Sequence, residues 1–165
     1  MQEAQLLTLL HSLEISFLRF DHPPVYTCEE ARVYLNNAPG AGTKNLFLQN
    51  GKPDGYFLLV VDENKRVDIN ALARLIGAGK LRFASADAMQ TYLGIEPGSV
   101  TLLAILNDEQ RLVKLFIDRD LWLNSAVQCH PLTNTATLIL TPADIERLLT
   151  HNGRAFTLLN VPSKT

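Results

Sequence analysis

The order of strand-like and helix-like segments constrains the fold of this chain more than any single motif does. In the first half, segments with helix caps alternate with short apolar runs, whereas the second half carries successive β-rich runs at residues 101–106, 112–118, 127–130 and 136–140. Strands that follow one another directly disfavour a regular βαβ array with an all-parallel sheet. The sequence therefore predicts an α/β fold with a mixed or largely antiparallel sheet and flanking helices.

Capping and turn signals define the remaining elements. Thr27 and Glu30 form a capping box, Asp68 and Ser85 are residue types that cap helices, and Thr141 precedes a proline in a first helical turn. We expect a first helix at residues 6–13, and helices that run from these caps to residues 35, 77–79, 94 and 153. Further strands are expected at 17–20, 46–49, 56–62 and 156–161, with a short extended piece at 81–83. Residues 50–55 predict a hairpin turn.

Length and composition indicate one globular domain over residues 1–165. The chain is 47% hydrophobic and 19% charged, and no apolar run approaches the roughly 20 residues that cross a bilayer. The N-terminus lacks the pattern of a signal peptide, and two cysteines do not form a disulfide framework, so we expect a cytoplasmic protein. The net charge of −2 and the lack of a basic recognition helix argue against a DNA-binding protein.

Residues 40–48, Gly-Ala-Gly-Thr-Lys-Asn-Leu-Phe-Leu, place a lysine and an asparagine where a small-residue loop becomes an apolar strand. Lys44 on such an element could hold its ammonium group against a phosphate, a carboxylate or a polarised ester carbonyl. The loop is not a phosphate-binding Walker sequence. A surface lysine with a solvated tip is the competing interpretation.

A local excess of four positive charges lies between residues 65 and 82 of this otherwise acidic chain. Such a run is typical of a solvated helix face, and it is also compatible with a contact to a phosphate backbone. Five basic residues face a single acid, Asp68, in this stretch; they are Lys65, Arg66, Arg74, Lys80 and Arg82.

Other reactive residues lack the spacing of a known catalytic or metal site. The four histidines show no ligand pattern and neither cysteine sits in a Cys-x-x-Cys pair, so no metal or cofactor is expected. Cys129 and His130 are strand neighbours whose side chains should point to opposite faces. Cys28 follows a helix cap, where a thiol pKa can fall, but a small apolar filler is the commoner role. His130 ends a strand, where it could bind a ligand or serve structure alone.

Five short segments, taken in order, resemble the aminoacyl-tRNA deacylase family, which includes the YbaK proteins and the editing insertion domain of bacterial prolyl-tRNA synthetase. The resemblance spans roughly residues 5 to 153 and is closest to the free-standing group called ProXp-ala or PrdX. It implies a YbaK-like fold with a curled sheet. The segments are His-Pro-Pro-Val-Tyr-Thr at 22–27, Thr-Lys-Asn-Leu-Phe-Leu at 43–48, Leu-Arg-Phe-Ala-Ser at 81–85, Gly-Ile-Glu-Pro-Gly-Ser-Val-Thr at 94–101 and His-Pro-Leu-Thr-Asn-Thr-Ala-Thr at 130–137.

The resemblance implies a trans-editing hydrolase that removes a wrong amino acid, alanine in particular, from proline tRNA. Lys44 and Asn45 would be catalytic, and the substrate would contact Gly98, Ser99, Leu102 and His130. The family pattern Gly-x-x-x-Pro begins at Gly98 but has leucine at position 102, which bears on the shape of the pocket. Transfer RNA is the implied partner, with prolyl-tRNA synthetase as a further one.

The chemistry agrees with this interpretation, because an aminoacyl ester is already activated and needs no strong protein nucleophile. Water, assisted by the neighbouring ribose hydroxyl of the substrate, could attack while Lys44 and nearby backbone N–H groups stabilise the oxyanion. A small apolar pocket near Lys44 would admit alanine and exclude proline. Two alternatives stay open: a deacylase for Cys- or Ser-charged tRNA, and a non-catalytic module of the same fold that binds a tRNA end, a nucleotide or a protein.

Overall fold

Eight strands divide between two sheets in the computed structural model, which describes residues 1–165. A five-stranded sheet has the order β4-β2-β3-β5-β8, and a three-stranded sheet has the order β1-β7-β6. The strands are β1 Leu18–Asp21, β2 Thr43–Gln49, β3 Tyr56–Asp62, β4 Arg82–Phe83, β5 Val113–Asp118, β6 Val127–Cys129, β7 Ala136–Leu140 and β8 Thr157–Leu159.

The sheets are largely antiparallel. β2 pairs antiparallel with both β3 and β4, and β7 pairs antiparallel with both β1 and β6, whereas the β3–β5 and β5–β8 pairings are parallel. A single bridge between Ala41 and Val127 joins the two sheets at a corner. The expected mixed, largely antiparallel α/β fold is confirmed, with its strands in two sheets instead of one.

Helices cover the sheets and begin mostly at the predicted caps. They are α1 Glu3–Ser12, α2 Cys28–Leu35, α3 Ile69–Ile76, α4 Ala86–Ala88, α5 Arg119–Trp122 and α6 Pro142–His151. The side chains of Thr27, Asp68, Ser85 and Thr141 each accept a hydrogen bond from the backbone N–H three residues later. α4 continues as a π-helical turn, Met89–Leu93, that ends at Gly94 with φ of 64°. None of these helices is both long and apolar enough to span a bilayer.

One predicted strand is wrong. Residues 101–106 were expected to be extended, but Leu102–Asn107 forms a 3-10 helix with Leu102 to Leu106 all buried. An apolar run of this length, buried on every side, suits a core helix as well as a core strand. Thr101 decides the outcome locally, because its hydroxyl accepts a hydrogen bond from Leu103 N at 3.3 Å and caps the helix.

The main hydrophobic core lies between the two sheets, the 3-10 helix, α1 and α6, and a smaller core lies under α3 on the other face of the large sheet. A buried ion pair between Asp108 and Arg154 stabilises the segment that directly follows the 3-10 helix. Asp108 accepts hydrogen bonds from Leu112 N at 3.1 Å, Val113 N at 2.8 Å and Arg154 Nη2 at 3.2 Å. Asp108 and Arg154 are only 4% and 8% exposed.

Replacing Asp108 should therefore destabilise the fold strongly. Asp108→Ala leaves the Arg154 guanidinium buried without its counter-ion and two backbone N–H groups without an acceptor, so we expect the free energy of unfolding to fall by about 3–5 kcal/mol. Urea denaturation followed by circular dichroism measures this change. The neighbouring exposed acid provides a control: Glu109→Ala should stay within about 0.5 kcal/mol of the parent. Equal losses in both variants would contradict the role of the buried pair.

Candidate active site

A cavity of about 270 Å³ opens where the two sheets meet α2. Its walls come from the loop before α2 and the inner face of that helix, the start of β2, the end of β6 and the turn at residues 96–99. The lining residues are Val25, Tyr26, Thr27, Cys28, Ala31, Leu35, Gly42, Thr43, Lys44, Asn45, Glu63, Gly98, Val100, Gln128, Cys129, His130 and Thr137. The cavity thus combines an apolar wall with a small number of polar side chains, which is typical of a small-molecule site.

Lys44 lies in β2, opposite Val61 of β3, and its side chain borders the cavity. Its Nζ donates a hydrogen bond to the backbone carbonyl of Lys65 at 2.5 Å. The backbone at Lys65 is itself fixed in place, because Lys65 Nζ forms an ion pair with the fully buried carboxylate of Asp118 at 2.7 Å. The Lys44 ammonium is therefore anchored by one N–H and keeps two others for a ligand. Lys44 is therefore not a surface lysine with a freely solvated ammonium group.

Asn45 follows Lys44 and also borders the cavity. Its Oδ1 atom is buried and has no hydrogen-bond partner in the protein. Buried amide oxygens are normally paired, since an unmet acceptor costs about 1–3 kcal/mol. Asn45 therefore brings an unmet acceptor to the edge of the cavity, where a hydrogen-bond donor of a ligand or water could satisfy it.

His130 directly follows β6 and borders the cavity. Its Nδ1 lies 3.0 Å from the carbonyl oxygen of Ala136, so Nδ1 carries the proton and donates. Burial lowers the pKa of His130 below its ordinary value, and the nearby ring of His22, 6.2 Å away, acts in the same direction. His130 is therefore neutral at neutral pH and offers Nε2 as a hydrogen-bond acceptor.

Gly98 occupies the third position of a turn from Glu96 to Ser99, closed by a hydrogen bond from Ser99 N to Glu96 O at 3.1 Å. Its φ of 89° suits glycine, and a Cβ there would lie 2.7 Å from the ring of Tyr26. Thr101 holds this turn against β6, because its hydroxyl donates to the His130 carbonyl at 2.8 Å. A side chain at position 98 would therefore push Tyr26 out of the cavity wall.

The structure gathers four of the six residues expected from the sequence, Lys44, Asn45, Gly98 and His130, around one cavity. Ser99 and Leu102 do not line it. Leu102 is 1% exposed and packs in the main core as the first residue of the 3-10 helix. Leu102, which stands where the resemblance implies a proline, is therefore a core residue and does not place its side chain in the cavity wall.

The two cysteines border the cavity but are poorly suited to act as nucleophiles. Burial raises the pKa of Cys129 to about 12. Burial also raises the pKa of Cys28, and the carboxylates of Glu63 and Glu29 add to the increase. Because the thiolate is the reactive form, both residues stay in the unreactive thiol form at neutral pH. No group of three His, Cys, Asp or Glu side chains is arranged to hold a metal ion.

Sequence reasoning missed Glu63, and it noted Lys65 only as part of a basic run; both residues lie just after β3 beside the start of β2. Glu63 N donates to Gly42 O at 3.0 Å, and its carboxylate pairs with Arg32 of α2. The β2–β3 hairpin register, in which Thr43 faces Asp62, was the available signal. It would have shown that the residues following β3 return to the level of Gly42 and Lys44.

Comparisons with known proteins identify the family of this chain. Residues 22–148 match the family model of the aminoacyl-tRNA editing domain. The chain is 37% identical over 148 residues to the prolyl-tRNA editing protein ProX of Acetoanaerobium sticklandii, covering 89% of this chain and 90% of that protein. It is 37% identical over 142 residues to prolyl-tRNA synthetase associated domain-containing protein 1 of Danio rerio, covering 85% and 77%.

A solved structure proposed to be a trans-editing enzyme for prolyl-tRNA synthetase has the same fold. It superposes with a TM-score of 0.68 over 98% of both chains, at 20% sequence identity. The family model covers most of the chain, and the resemblance found in the sequence is thereby confirmed. This chain belongs to the aminoacyl-tRNA editing domain family and is an aminoacyl-tRNA deacylase, an ester hydrolase.

Proposed function

We propose that this deacylase edits proline tRNA that carries the wrong amino acid, with alanine as its main substrate. The observation that carries the proposal is that one small cavity is lined both by Lys44, whose ammonium is anchored, and by Asn45, whose Oδ1 has no partner in the protein. The similarity to the prolyl-tRNA editing protein ProX supports proline tRNA as the acceptor. Prolyl-tRNA synthetase is the proposed partner, because mischarged proline tRNA is its product.

The proposed reaction is hydrolysis of the ester between the amino acid and the 3′-terminal ribose. A water molecule adds to the ester carbonyl, either directly or after the neighbouring ribose hydroxyl has attacked and moved the acyl group to the other ribose oxygen. The carbon–oxygen bond to the ribose then breaks, the ribose oxygen takes up a proton, and the amino acid leaves as a carboxylate. The raised pKa values of Cys28 and Cys129 support water or the substrate hydroxyl over a cysteine as the attacking group.

Lys44 is proposed to stabilise the negative charge that develops on the carbonyl oxygen during attack. Two of its N–H groups are available, and the anchor on the Lys65 carbonyl holds the ammonium in position before the substrate arrives. Such preorganised donors are effective because little rearrangement is needed in the transition state. Asn45 Oδ1 would accept a hydrogen bond from the attacking water or hydroxyl, and neutral His130 would offer Nε2 to the terminal ribose.

Size is the proposed basis of selectivity. The apolar part of the lining includes Val25, from the loop before α2, Ala31 and Leu35 of α2, and Val100. A synthetase pocket shaped for proline rejects a smaller amino acid weakly, because one methylene is worth about 1–3 kcal/mol. A second pocket that fits alanine and is too tight for the proline ring would correct the resulting errors.

Removing the Lys44 ammonium should abolish most of the activity. Lys44→Ala is expected to lower the rate of Ala-tRNA(Pro) deacylation by roughly 100- to 1000-fold, the usual loss for one oxyanion donor. Release of labelled alanine under single-turnover conditions measures it, with thermal unfolding as a check on the fold. Lys52→Ala, in the exposed β2–β3 turn, should retain full activity. A fully active Lys44→Ala enzyme would overturn the catalytic role of Lys44. If the parent protein binds tRNA but turns over no charged form, the non-catalytic alternative is favoured.

Enlarging the apolar wall should relax the selectivity. Val25 is 2% exposed, and its backbone is held by two hydrogen bonds with Asn134, so Val25→Ala should leave the loop in place and widen the cavity. We expect kcat/KM for Pro-tRNA(Pro) relative to Ala-tRNA(Pro) to rise by roughly tenfold or more. Val33→Ala serves as the control, because Val33 is 75% exposed on α2 and lies outside the lining. An unchanged ratio in Val25→Ala would rule out this wall as the size filter.

A further inference from the structure

Glu63 is the only carboxylate among the residues that line the cavity, just as Lys44 is the only lysine or arginine. Its side chain is 17% exposed and packs against the backbone of Gly42. A Cβ at position 42 would lie 2.4 Å from the carboxyl carbon, so any other residue at position 42 would displace this carboxylate. Gly42 in the loop before β2 therefore leaves space for the Glu63 carboxylate beside β2, the strand that carries Lys44.

The Glu63 carboxylate is only half satisfied by the protein. Oε1 accepts a hydrogen bond from Arg32 Nε at 3.0 Å, and Arg32 also donates to Asn64 Oδ1 at 2.7 Å. Oε2 accepts no hydrogen bond from the protein, and Lys44 forms no ion pair with Glu63 because its ammonium is held by the Lys65 carbonyl. A partly buried carboxylate oxygen with no donor is suited to bind a cationic group of a ligand.

The substrate of the proposed reaction carries such a group on the carbon next to the reacting ester. An aminoacyl ester has a positively charged α-ammonium group with three N–H donors, and its carbonyl oxygen becomes negative during attack. The cavity offers one carboxylate and one ammonium as separate side chains. Building on the proposed function, we propose that Glu63 binds the α-ammonium group of the aminoacyl ester, so that the enzyme selects esters with an unblocked amine.

This contact explains how the site would tell its substrate from other esters of tRNA. A formyl, acetyl or peptidyl group on the nitrogen removes the positive charge and adds bulk where the Glu63 carboxylate meets the ligand. A site built to pair a polar group rejects an analogue that lacks the partner, because the site's own buried group is then left unpaired. Peptidyl-tRNA and initiator-type N-blocked esters would therefore be poor substrates.

Binding of two stable analogues tests the proposal without depending on catalysis. The probes are 3′-deoxyadenosine carrying an alanyl amide at the 3′ position and its lactyl counterpart, in which a hydroxyl replaces the ammonium group at nearly equal size. Isothermal titration calorimetry should show that the wild-type protein binds the alanyl analogue roughly 10- to 100-fold more tightly. In Glu63→Gln this preference should largely disappear, with the thermal unfolding midpoint used to check the fold.

Two control variants separate the carboxylate from its surroundings. Arg32→Gln breaks the same ion pair but leaves the Glu63 carboxylate in place, so it should keep the preference for the alanyl analogue. Glu29→Gln removes an exposed acid from the first turn of α2, outside the cavity lining, and should also keep it. Deacylation of Ala-tRNA(Pro) is measured in parallel on each protein.

The outcomes distinguish this inference from the proposed function. Loss of the preference in Glu63→Gln alone supports the ammonium contact. Equal affinity of the wild-type protein for both analogues overturns it without recourse to any variant, as does an unchanged preference in Glu63→Gln or an equal loss in Arg32→Gln. A wild-type protein that prefers the alanyl analogue through Glu63 but does not deacylate Ala-tRNA(Pro) would support the ammonium contact and overturn the proposed substrate.

Discussion

The pairing of Ala41 with β6 is the contact on which the rest of the site depends. Ala41 N donates to Ala126 O at 3.0 Å, and Gln128 N donates to Ala41 O at 2.9 Å, so two hydrogen bonds tie the segment before β2 to the small sheet. The Thr43 hydroxyl adds a third tie to Gln128 O at 2.6 Å. Gly40 permits the approach, because its φ is 88° and a Cβ would lie 3.0 Å from Ala126 O. The cavity is the space left where the two sheets meet at this corner.

The electrostatics of the cavity follow from how each polar group is held. The Lys44 ammonium is anchored through the Lys65 carbonyl and, behind it, by the buried Asp118 carboxylate. His130 is kept neutral by burial, and both thiols stay protonated for the same reason. The result is a site with one fixed positive charge, one half-paired carboxylate and neutral acceptors. An ester that is already activated requires charge stabilisation and placement more than it requires a strong nucleophile.

Local sequence signals predicted the helices well and one segment wrongly. Each helix start at Thr27, Asp68, Ser85 and Thr141 depends on a side chain bonding to a backbone N–H three residues away, and such short-range contacts are readable from the sequence. The apolar run after Thr101 carried no such periodic signal. Thr101 caps the 3-10 helix locally, but the burial of this run on all sides depends on residues distant in the chain. The resemblance implied a place for Leu102 in the pocket, but the same burial between the sheets puts its side chain in the core.

The sequence alone was enough to identify positions 44, 45, 98 and 130 as site candidates. It was also enough to identify glycines that permit close backbone approach and the family to which the chain belongs. Short motifs hold this information because each encodes a local conformation or a chemical group. The tertiary structure alone decided which of these groups share a cavity, which atoms remain without partners and which charges are buried. Glu63 and Lys65 illustrate the difference, because they gain their positions beside Lys44 only when β3 returns along β2 and the two sheets close at Ala41. Distances and burial of this kind arise from contacts between segments far apart in sequence, and no local pattern records them.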